Sequence, residues 1–321
     1  MKALSLQIAK TAFKAAISIL FLFILFKRVD FPLFLQILKE SSSLSLFLLL
    51  PANVLVTALL ALRWKVIITP SLQNIGFLRI WKLTLIGLFF NIFLPTGAGG
   101  DIAKIYLFTK DQNKKLKLGI SVLFDRFIGA VSIILMGGAG FLFFQGALPP
   151  KTGLMITLLL IVTGSAWILI LWENLTDFFL KLLPEKFSQK ILLFFGYLRE
   201  YGKNRTITRN AIGVSILCQS LSILIQFFML RSFLGIPGVS LLFFFIVIPL
   251  IWVSTLVPSL GGLGIREFTY SFFFTPFIGE QQAIALSLMN LLLILFQSAM
   301  GAGALLLSGK SEKKKEAEYS P

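Results

Sequence analysis

Two glycine-rich motifs in this sequence carry charged residues inside otherwise apolar stretches. The first follows Asn91 and reads Pro95-Thr96-Gly97-Ala98-Gly99-Gly100-Asp101, and the second reads Pro258-Ser259-Leu260-Gly261-Gly262-Leu263-Gly264-Ile265-Arg266-Glu267. Proline and glycine interrupt helices, and the N–H groups freed at a break can bind an anion together with the N-terminus of the next helix. The alternative is that the glycines only allow helices to pack closely.

Five ionisable residues lie in or beside apolar segments, namely Asp101, Asp125, Arg126, Arg266 and Glu267. A charge at the centre of a bilayer costs about 2.5–3.5 kcal/mol on insertion scales, so each needs a partner or a polar cavity. In a binding site, the three carboxylates would favour a cationic or polar headgroup, and the two arginines would hold a phosphate. As purely structural groups they would pair with one another, for example Asp125 with Arg266 and Glu267 with Arg126.

Weaker polar candidates accompany these motifs. Asn91 and Lys104 join the candidate binding set, although the ammonium of Lys104 could instead reach the cytoplasmic surface of the membrane. Arg63 is a further weak candidate. Gln219 and Gln226 are seven residues apart and share one helical face with two serines, Ser215 and Ser222. That spacing favours hydrogen bonds between helices over a ligand site.

Composition sets the class of protein. The chain has 321 residues, 57% of them hydrophobic and 14% charged, and its formal net charge is +16. The basic residues lie between the apolar stretches, which is typical of the positive-inside rule and of contact with anionic lipids rather than nucleic acid. The only cysteine is Cys218, so no disulfide forms within the chain, and the absence of histidine removes the commonest general base and metal ligand. We expect no cofactor, no metal site and no catalytic residue.

The apolar segments are long enough and numerous enough to predict an all-α polytopic membrane protein, since a spanning helix needs about 20 apolar residues. The segments fall at about 12–26, 44–62, 80–94, 102–108, 118–144, 154–172, 212–233, 241–257, 268–278 and 284–307. Residues 173–209 predict an interfacial amphipathic helix pair broken at Pro184. Residues 310–321 form a charged cytoplasmic tail that we expect to be disordered.

The distribution of Lys and Arg places both termini in the cytoplasm. Counting crossings between the basic regions then predicts about six full transmembrane helices and two re-entrant broken-helix elements, one turning at Pro95–Gly100 and one at Pro258–Gly264. Three crossings in each broken region would fit the same count. The two halves of the membrane domain, about 1–150 and 151–309, have inverted topology. Inverted repeats with broken helices near the midplane are a transporter architecture.

Three motifs, in order, resemble the signatures of the lysylphosphatidylglycerol synthase transmembrane-region family, also called flippase-like. They are the stretch from Asn91 to Asp101, Asp125-Arg126 with Gly129, and the stretch from Pro258 to Glu267; Leu62-Arg63-Trp64 also fits. The resemblance covers nearly the whole chain. It implies the membrane domain of the bifunctional phosphatidylglycerol lysyltransferase, which flips aminoacylated lipid. Similar regions occur in archaeal dolichol-linked sugar transferases.

Two departures from the family pattern limit what the resemblance implies. The family often has Arg where Lys104 stands, and Lys does not make the bidentate phosphate contact of Arg. No segment of the sequence corresponds to the soluble aminoacyl-transfer domain, so synthesis of lysyl-lipid is not implied. Only the role of the membrane domain is expected.

These patterns favour an integral inner-membrane, flippase-like protein of a bacterium that binds and translocates a phospholipid or lipid-linked headgroup between the two Gly-Gly motifs. One alternative is a membrane transferase acting on polyprenyl-phosphate or lipid intermediates, with Asp101 or Glu267 as general base. Another is a scaffold for a separately encoded synthase, and a homo-oligomer is a further expected assembly. The predicted binding residues are Asn91, Pro95, Gly99, Gly100, Asp101, Lys104, Asp125, Arg126, Pro258, Gly261, Gly262, Arg266 and Glu267.

Overall fold

The computed structural model describes residues 32, 43–69, 75–93, 99–109, 115–144, 148, 151–171, 185–255, 262 and 264–318. Within these residues the regular structure is entirely helical. The helices are α1 Ser43–Ile68, α2 Phe77–Phe93, α3 Gly99–Thr109, α4 Lys115–Phe143, α5 Thr152–Leu171, α6 Glu185–Lys203, α7 Arg205–Phe233, α8 Leu241–Ser254, α9 Ile265–Ile278 and α10 Glu280–Glu318. The first predicted helix, at about 12–26, lies outside the described residues.

Four stretches of the described helices are long and apolar enough to cross a membrane. They are Leu48–Ile68, Leu116–Phe143, Arg205–Phe233 and Glu280–Leu307, with 21, 28, 29 and 28 residues. The apolar stretches Thr152–Ile168 and Leu241–Ser254 are shorter. Because about 20 apolar residues cross the hydrocarbon core, these lengths confirm a helical multi-pass membrane protein. The total of about six full spans stays a prediction.

Helices α2 and α3 form an antiparallel pair on either side of the first glycine-rich motif. The guanidinium of Arg79, near the start of α2, lies 5.6 Å from the ring centroid of Phe108, near the end of α3. At the other end of the pair, Gly87 faces Gly100. With 17 and 11 residues, the two helices are about 26 Å and about 17 Å long at 1.5 Å per residue. The chain therefore reverses direction at the motif.

Helices α8 and α9 form a second antiparallel pair, around the second motif. The hydroxyl of Thr269 donates to Ser254 Oγ at 3.0 Å, and the rings of Phe243 and Phe277 lie 4.4 Å apart at the opposite end. Each helix has 14 residues, or about 21 Å, which is less than the roughly 30 Å hydrocarbon core. Both turns between the paired helices, at 94–98 and 256–261, lie outside the described residues.

Both short helices after the breaks begin earlier than predicted. Helix α3 begins at Gly99 rather than at about residue 102, and α9 begins at Ile265 rather than at about residue 268. Asp101 and Glu267 therefore lie in the first turn of a helix, where a carboxylate is stabilised by the helix dipole. Their positions at helix N-termini explain why charged residues begin segments that otherwise read as apolar.

Close backbone contacts hold the long helices against the antiparallel pairs. Helices α1 and α7 are antiparallel, with Cys218 Sγ 3.7 Å from the carbonyl oxygen of Val56. Gly301 of α10 lies directly against the carbonyl oxygen of Leu85 in α2. Gly140 of α4 lies against α8, where a Cβ would be 3.1 Å from Phe245 Cβ and 3.4 Å from its carbonyl carbon. Glycines thus allow α10 to approach α2 and α4 to approach α8, as small residues do at membrane helix interfaces.

Two further predictions concern the polar regions. Helix α6 begins at Glu185, directly after Pro184, and its buried Leu198 and Tyr201 pack on α4, where the Tyr201 and Phe124 rings stack at 5.6 Å. This confirms the second helix of the amphipathic pair, while residues 173–184 lie outside the described residues. The prediction of a disordered tail is wrong as far as Glu318, because α10 continues to that residue. Lys and Glu dominate residues 310–318 and favour a helix.

Candidate functional site

Arg63 and Asp125 form a buried ion pair between α1 and α4. Arg63 donates from Nε to Asp125 Oδ1 at 2.7 Å and from Nη2 to Oδ2 at 3.0 Å, and its Nη1 donates to Ser215 Oγ on α7 at 3.0 Å. Gly129 makes room for the guanidinium, since a Cβ there would lie 2.8 Å from Nη1. The expected pairing of Asp125 with Arg266 is therefore wrong, because Arg63, a weak candidate from sequence, occupies both carboxylate oxygens.

Asp101 is the centre of a second group of charges at the start of α3. Its Oδ2 contacts Nε of Arg126, and its Oδ1 lies 4.0 Å from Nζ of Lys104. The Lys104 ammonium also lies 5.4 Å from the ring centroid of Trp64, and the side chain is only 12% exposed. Lys104 is thus held inside the protein by a carboxylate and an aromatic face, which overturns the alternative that it extends to the membrane surface.

Together these residues form what we call the ion-pair cluster, made of Arg63, Asp101, Lys104, Asp125 and Arg126. Three cations and two carboxylates leave it with one net positive charge. The side chain of Arg126 is 41% exposed, whereas those of the two aspartates are each 10% exposed. The cluster therefore presents its excess positive charge at Arg126, where an anionic group can approach it.

Arg266 and Glu267 form the second buried ion pair, within the first turn of α9. Glu267 Oε1 accepts from Arg266 Nε at 3.1 Å and from Nη2 at 2.7 Å, and its Oε2 accepts from the backbone N–H of Gly264 at 2.6 Å. Glu267 is fully buried. The expected pairing of Glu267 with Arg126 is wrong, because neighbours in its own turn already satisfy both oxygens.

The glycines of the two motifs have structural roles that the residues around them define. Gly100 donates its N–H to Asn91 Oδ1 at 2.9 Å, and a Cβ at Gly100 would collide with the carbonyl oxygen of Gly87. Gly262 and Gly264 have φ angles of 80° and 83°, which L side chains rarely adopt. The N–H groups of Gly100 and Gly264 are thus already bonded to side chains. The close approach of α3 to Gly87 of α2 explains why residue 100 is a glycine. The residues of the predicted site that lie outside the described residues are Pro95, Pro258 and Gly261.

A polar cavity of about 270 Å³ lies between α1, α7, α8, α9 and α10. Arg266 lines it, and so do five carboxamide side chains, those of Asn53, Gln219, Gln226, Asn290 and Gln297. Of the five amides, only Gln219 and Gln226 were predicted from the sequence to have a role, as hydrogen-bonding groups between helices. The seven-residue spacing of those two recurs in Asn290 and Gln297 on α10, and this repeated spacing was a signal for a shared polar face.

Three of the five amides are held by hydrogen bonds within the protein. Gln226 Oε1 accepts from the hydroxyl of Tyr270, and Gln297 Nε2 donates to Asn53 Oδ1 at 2.6 Å. These bonds confirm the prediction of hydrogen bonds between helices for Gln226. Gln219 and Asn290 are each only 8% exposed, and neither side chain makes a hydrogen bond to a described residue.

The model of the family described as the lysylphosphatidylglycerol synthase TM region matches residues 11–301. The chain belongs to this family. No curated protein and no solved structure matched the chain.

The geometry of this family member suits binding better than bond-making chemistry. Among the described residues, no three side chains of His, Cys, Asp or Glu come together as metal ligands. Asp101 and Glu267, the two carboxylates considered as general bases, each contact an arginine. These arginines occupy carboxylate oxygens that would otherwise accept a proton from a substrate. What the described residues offer a ligand is the exposed face of Arg126 and the amide-lined cavity beside Arg266.

Proposed function

We propose that this protein binds and translocates a phospholipid or lipid-linked headgroup across a bacterial cytoplasmic membrane. The observation that carries the proposal is the polar cavity of about 270 Å³, which lies between apolar helices and is lined by five amides and Arg266. Polar groups inside a membrane domain are costly and are kept where they serve a substrate pathway. Membership of the lysylphosphatidylglycerol synthase TM family supports a lipid as the substrate.

In this proposal the ion-pair cluster lies directly beyond one end of the cavity. Leu60 and Cys218 line the cavity, while Arg63 and Ser215 lie one helical turn further along α1 and α7 and are hydrogen-bonded to each other. A headgroup leaving the cavity in that direction meets the cluster, whose net charge is positive. The phosphate would then move between Arg266 and Arg126 while the acyl chains stay in the lipid.

The two antiparallel pairs, α2/α3 and α8/α9, are the re-entrant elements of this mechanism. Their short helices support entry and return from one face, because α3, α8 and α9 are too short to cross the hydrocarbon core. In the inverted repeat, α2 of the first half corresponds to α8 of the second, and α4 corresponds to α10. The packing of α10 on α2 and of α4 on α8 supports this repeat, because the two contacts become equivalent when the halves are exchanged. With both termini cytoplasmic, the pairs would enter from opposite faces, α8/α9 beside the cavity and α2/α3 beside the ion-pair cluster.

A reconstituted-vesicle assay tests this function. Purified protein is placed in vesicles containing fluorescent phosphatidylglycerol, and a membrane-impermeant reductant quenches the outer leaflet. We expect the protein to make inner-leaflet lipid reachable, and we expect Asp101→Ala and Arg266→Ala to abolish this movement. Arg126→Gln removes the exposed guanidinium with the least disturbance to packing and should slow movement. Lys117→Ala serves as the matched control because Lys117 pairs with Glu200 at an exposed site.

Each outcome of that assay bears on a different claim. Wild-type movement in both Asp101→Ala and Arg266→Ala, with normal size-exclusion profiles, would refute the site. Absence of movement with the wild-type protein, together with co-purification of a synthase, would favour the scaffold. Turnover of a lipid intermediate by purified protein would favour the transferase, which the paired states of Asp101 and Glu267 make the weaker alternative.

A further inference from the structure

The carboxylates near the proposed pathway are already engaged by the protein's own cations. Asp125 is held by Arg63, Asp101 contacts Arg126, and Glu267 is held by Arg266. Among the described residues of the cluster and the cavity, a cationic headgroup would therefore find every carboxylate already in contact with an arginine. Asp101 Oδ2 is buried and accepts no hydrogen bond from a described residue, but Arg126 contacts it. Burying an uncompensated cation in a site of low dielectric constant is strongly unfavourable. The described part of the site thus disfavours a headgroup that carries an amino group.

The cavity instead offers uncharged hydrogen-bonding groups. Gln219 and Asn290 line it, are each only 8% exposed, and make no hydrogen bond to a described residue. Because both side chains line the cavity, a ligand there can supply their hydrogen-bond partners. Each carboxamide offers both donors and an acceptor. Hydroxyl groups, which donate and accept, are the ligand groups that match both amides at once.

One nitrogen of the Arg266 guanidinium is left unused by the described residues. Arg266 uses Nε and Nη2 to bind Glu267, and its Nη1 makes no hydrogen bond to a described residue. Arg266 lines the cavity together with the two unpartnered amides. A phosphate oxygen could accept from Nη1 while hydroxyl groups on the same headgroup bond to Gln219 and Asn290. The three side chains together would offer partners to a hydroxylated group joined to a phosphate.

We infer that the cavity binds an uncharged polyhydroxyl headgroup, of the glycerol or sugar type, joined through a phosphate, in preference to a cationic aminoacylated headgroup. The cavity volume of about 270 Å³ lies just below the roughly 300–1,000 Å³ of drug-sized ligand sites, so it accepts a small headgroup without its acyl chains. This inference rests on the proposed lipid-binding function and names the class of headgroup.

Native mass spectrometry of the purified full chain in mixed micelles tests the inference with four probes. Phosphatidylglycerol carries the polyol and the phosphate, lysyl-phosphatidylglycerol adds a cationic amino acid, phosphatidic acid lacks the polyol, and glycerol phosphate lacks the acyl chains. We expect phosphatidylglycerol to bind at least about tenfold more tightly than each of the other three. Phosphatidic acid and glycerol phosphate each lack one group that contributes to binding, and lysyl-phosphatidylglycerol adds a cation that the site does not compensate. About tenfold corresponds to the loss of one well-placed hydrogen-bonding contact.

The matched variants locate the preference in the cavity. The double variant Gln219→Leu with Asn290→Leu keeps similar side-chain volumes and removes both amides, so phosphatidylglycerol should lose its advantage over phosphatidic acid. Gln282→Leu removes an amide from the same helix as Asn290 but outside the cavity lining, and binding should stay at the wild-type level. An unchanged preference in the double variant would overturn the assignment. The comparison of probes on the wild-type chain needs no variant and stands even if the double variant does not fold.

The remaining outcomes separate this inference from the proposed function. Tighter binding of lysyl-phosphatidylglycerol than of phosphatidylglycerol would overturn the polyol inference and leave lipid binding intact. Equal binding of glycerol phosphate and phosphatidylglycerol would support recognition of a polyol phosphate but contradict a lipid as its source. Failure of all four probes to bind would overturn both.

Discussion

The Arg63–Asp125 ion pair offers the sharpest test of the claim that membrane charges in this protein compensate one another. Arg63 and Asp125 side chains are 7% and 10% exposed and are joined by two hydrogen bonds. Asp125→Leu would leave the Arg63 guanidinium buried without its counter-charge. Breaking a buried pair by removing one partner costs about 3–5 kcal/mol. Replacing both residues by Leu removes the unpaired charge, so the double variant should be considerably more stable than Asp125→Leu alone.

The matched control is the ion pair between Lys117 and Glu200. Its N–O distance of 2.8 Å is close to the 2.7 Å between Arg63 and Asp125, but its side chains are 24% and 53% exposed. Pairs exposed in this way contribute about 0–1 kcal/mol. The free energy of unfolding can be measured by titrating the protein in mixed micelles with a denaturing detergent and following helicity. A loss of less than about 1 kcal/mol in Asp125→Leu, equal to that in Glu200→Leu, would refute the reasoning that this pair is buried and essential.

Three further changes test packing, backbone geometry and the cavity wall in the same unfolding assay. Gly100→Ala should destabilise by about 1–3 kcal/mol because its Cβ collides with the Gly87 carbonyl, whereas Gly213→Ala, with no atom within 4 Å of the new Cβ, should be neutral or stabilising. Gly264→Ala should cost about 1–3 kcal/mol because its φ is 83°, and a wild-type value would contradict that backbone conformation. Tyr270→Phe should cost about 1–3 kcal/mol by leaving the buried Gln226 oxygen without a donor, and no loss would contradict that hydrogen bond.

The helices and the positions of the breaks could be predicted from the sequence because their signals are local. A run of about 20 apolar residues has few structural alternatives, and proline beside paired glycines marks where a helix stops. The family was equally predictable, since its motifs are contiguous stretches of sequence. Boundaries moved by a few residues at α3 and α9, because Asp101 and Glu267 stabilise the first helical turn that hydropathy alone does not detect.

The partners of the charged residues could not be predicted, because partner choice depends on how whole helices rotate against one another. Arg63 reaches Asp125 only because Gly129 leaves space for its guanidinium. Arg266 pairs with Glu267, the next residue, although consecutive residues on a helix normally point in different directions. The amide-lined cavity was missed for the same reason, since Asn53 lies far in sequence from its partner Gln297.

Density for a bound headgroup is the most direct test of the proposed lipid site. An experimental map of the protein in lipid discs containing phosphatidylglycerol would show what occupies the cavity. We expect headgroup density in contact with Arg266, Gln219 and Asn290, with the acyl chains leaving between the helices that line the cavity. A cavity that holds only water, with ordered phosphatidylglycerol confined to the outer surface of the helices, would contradict the site.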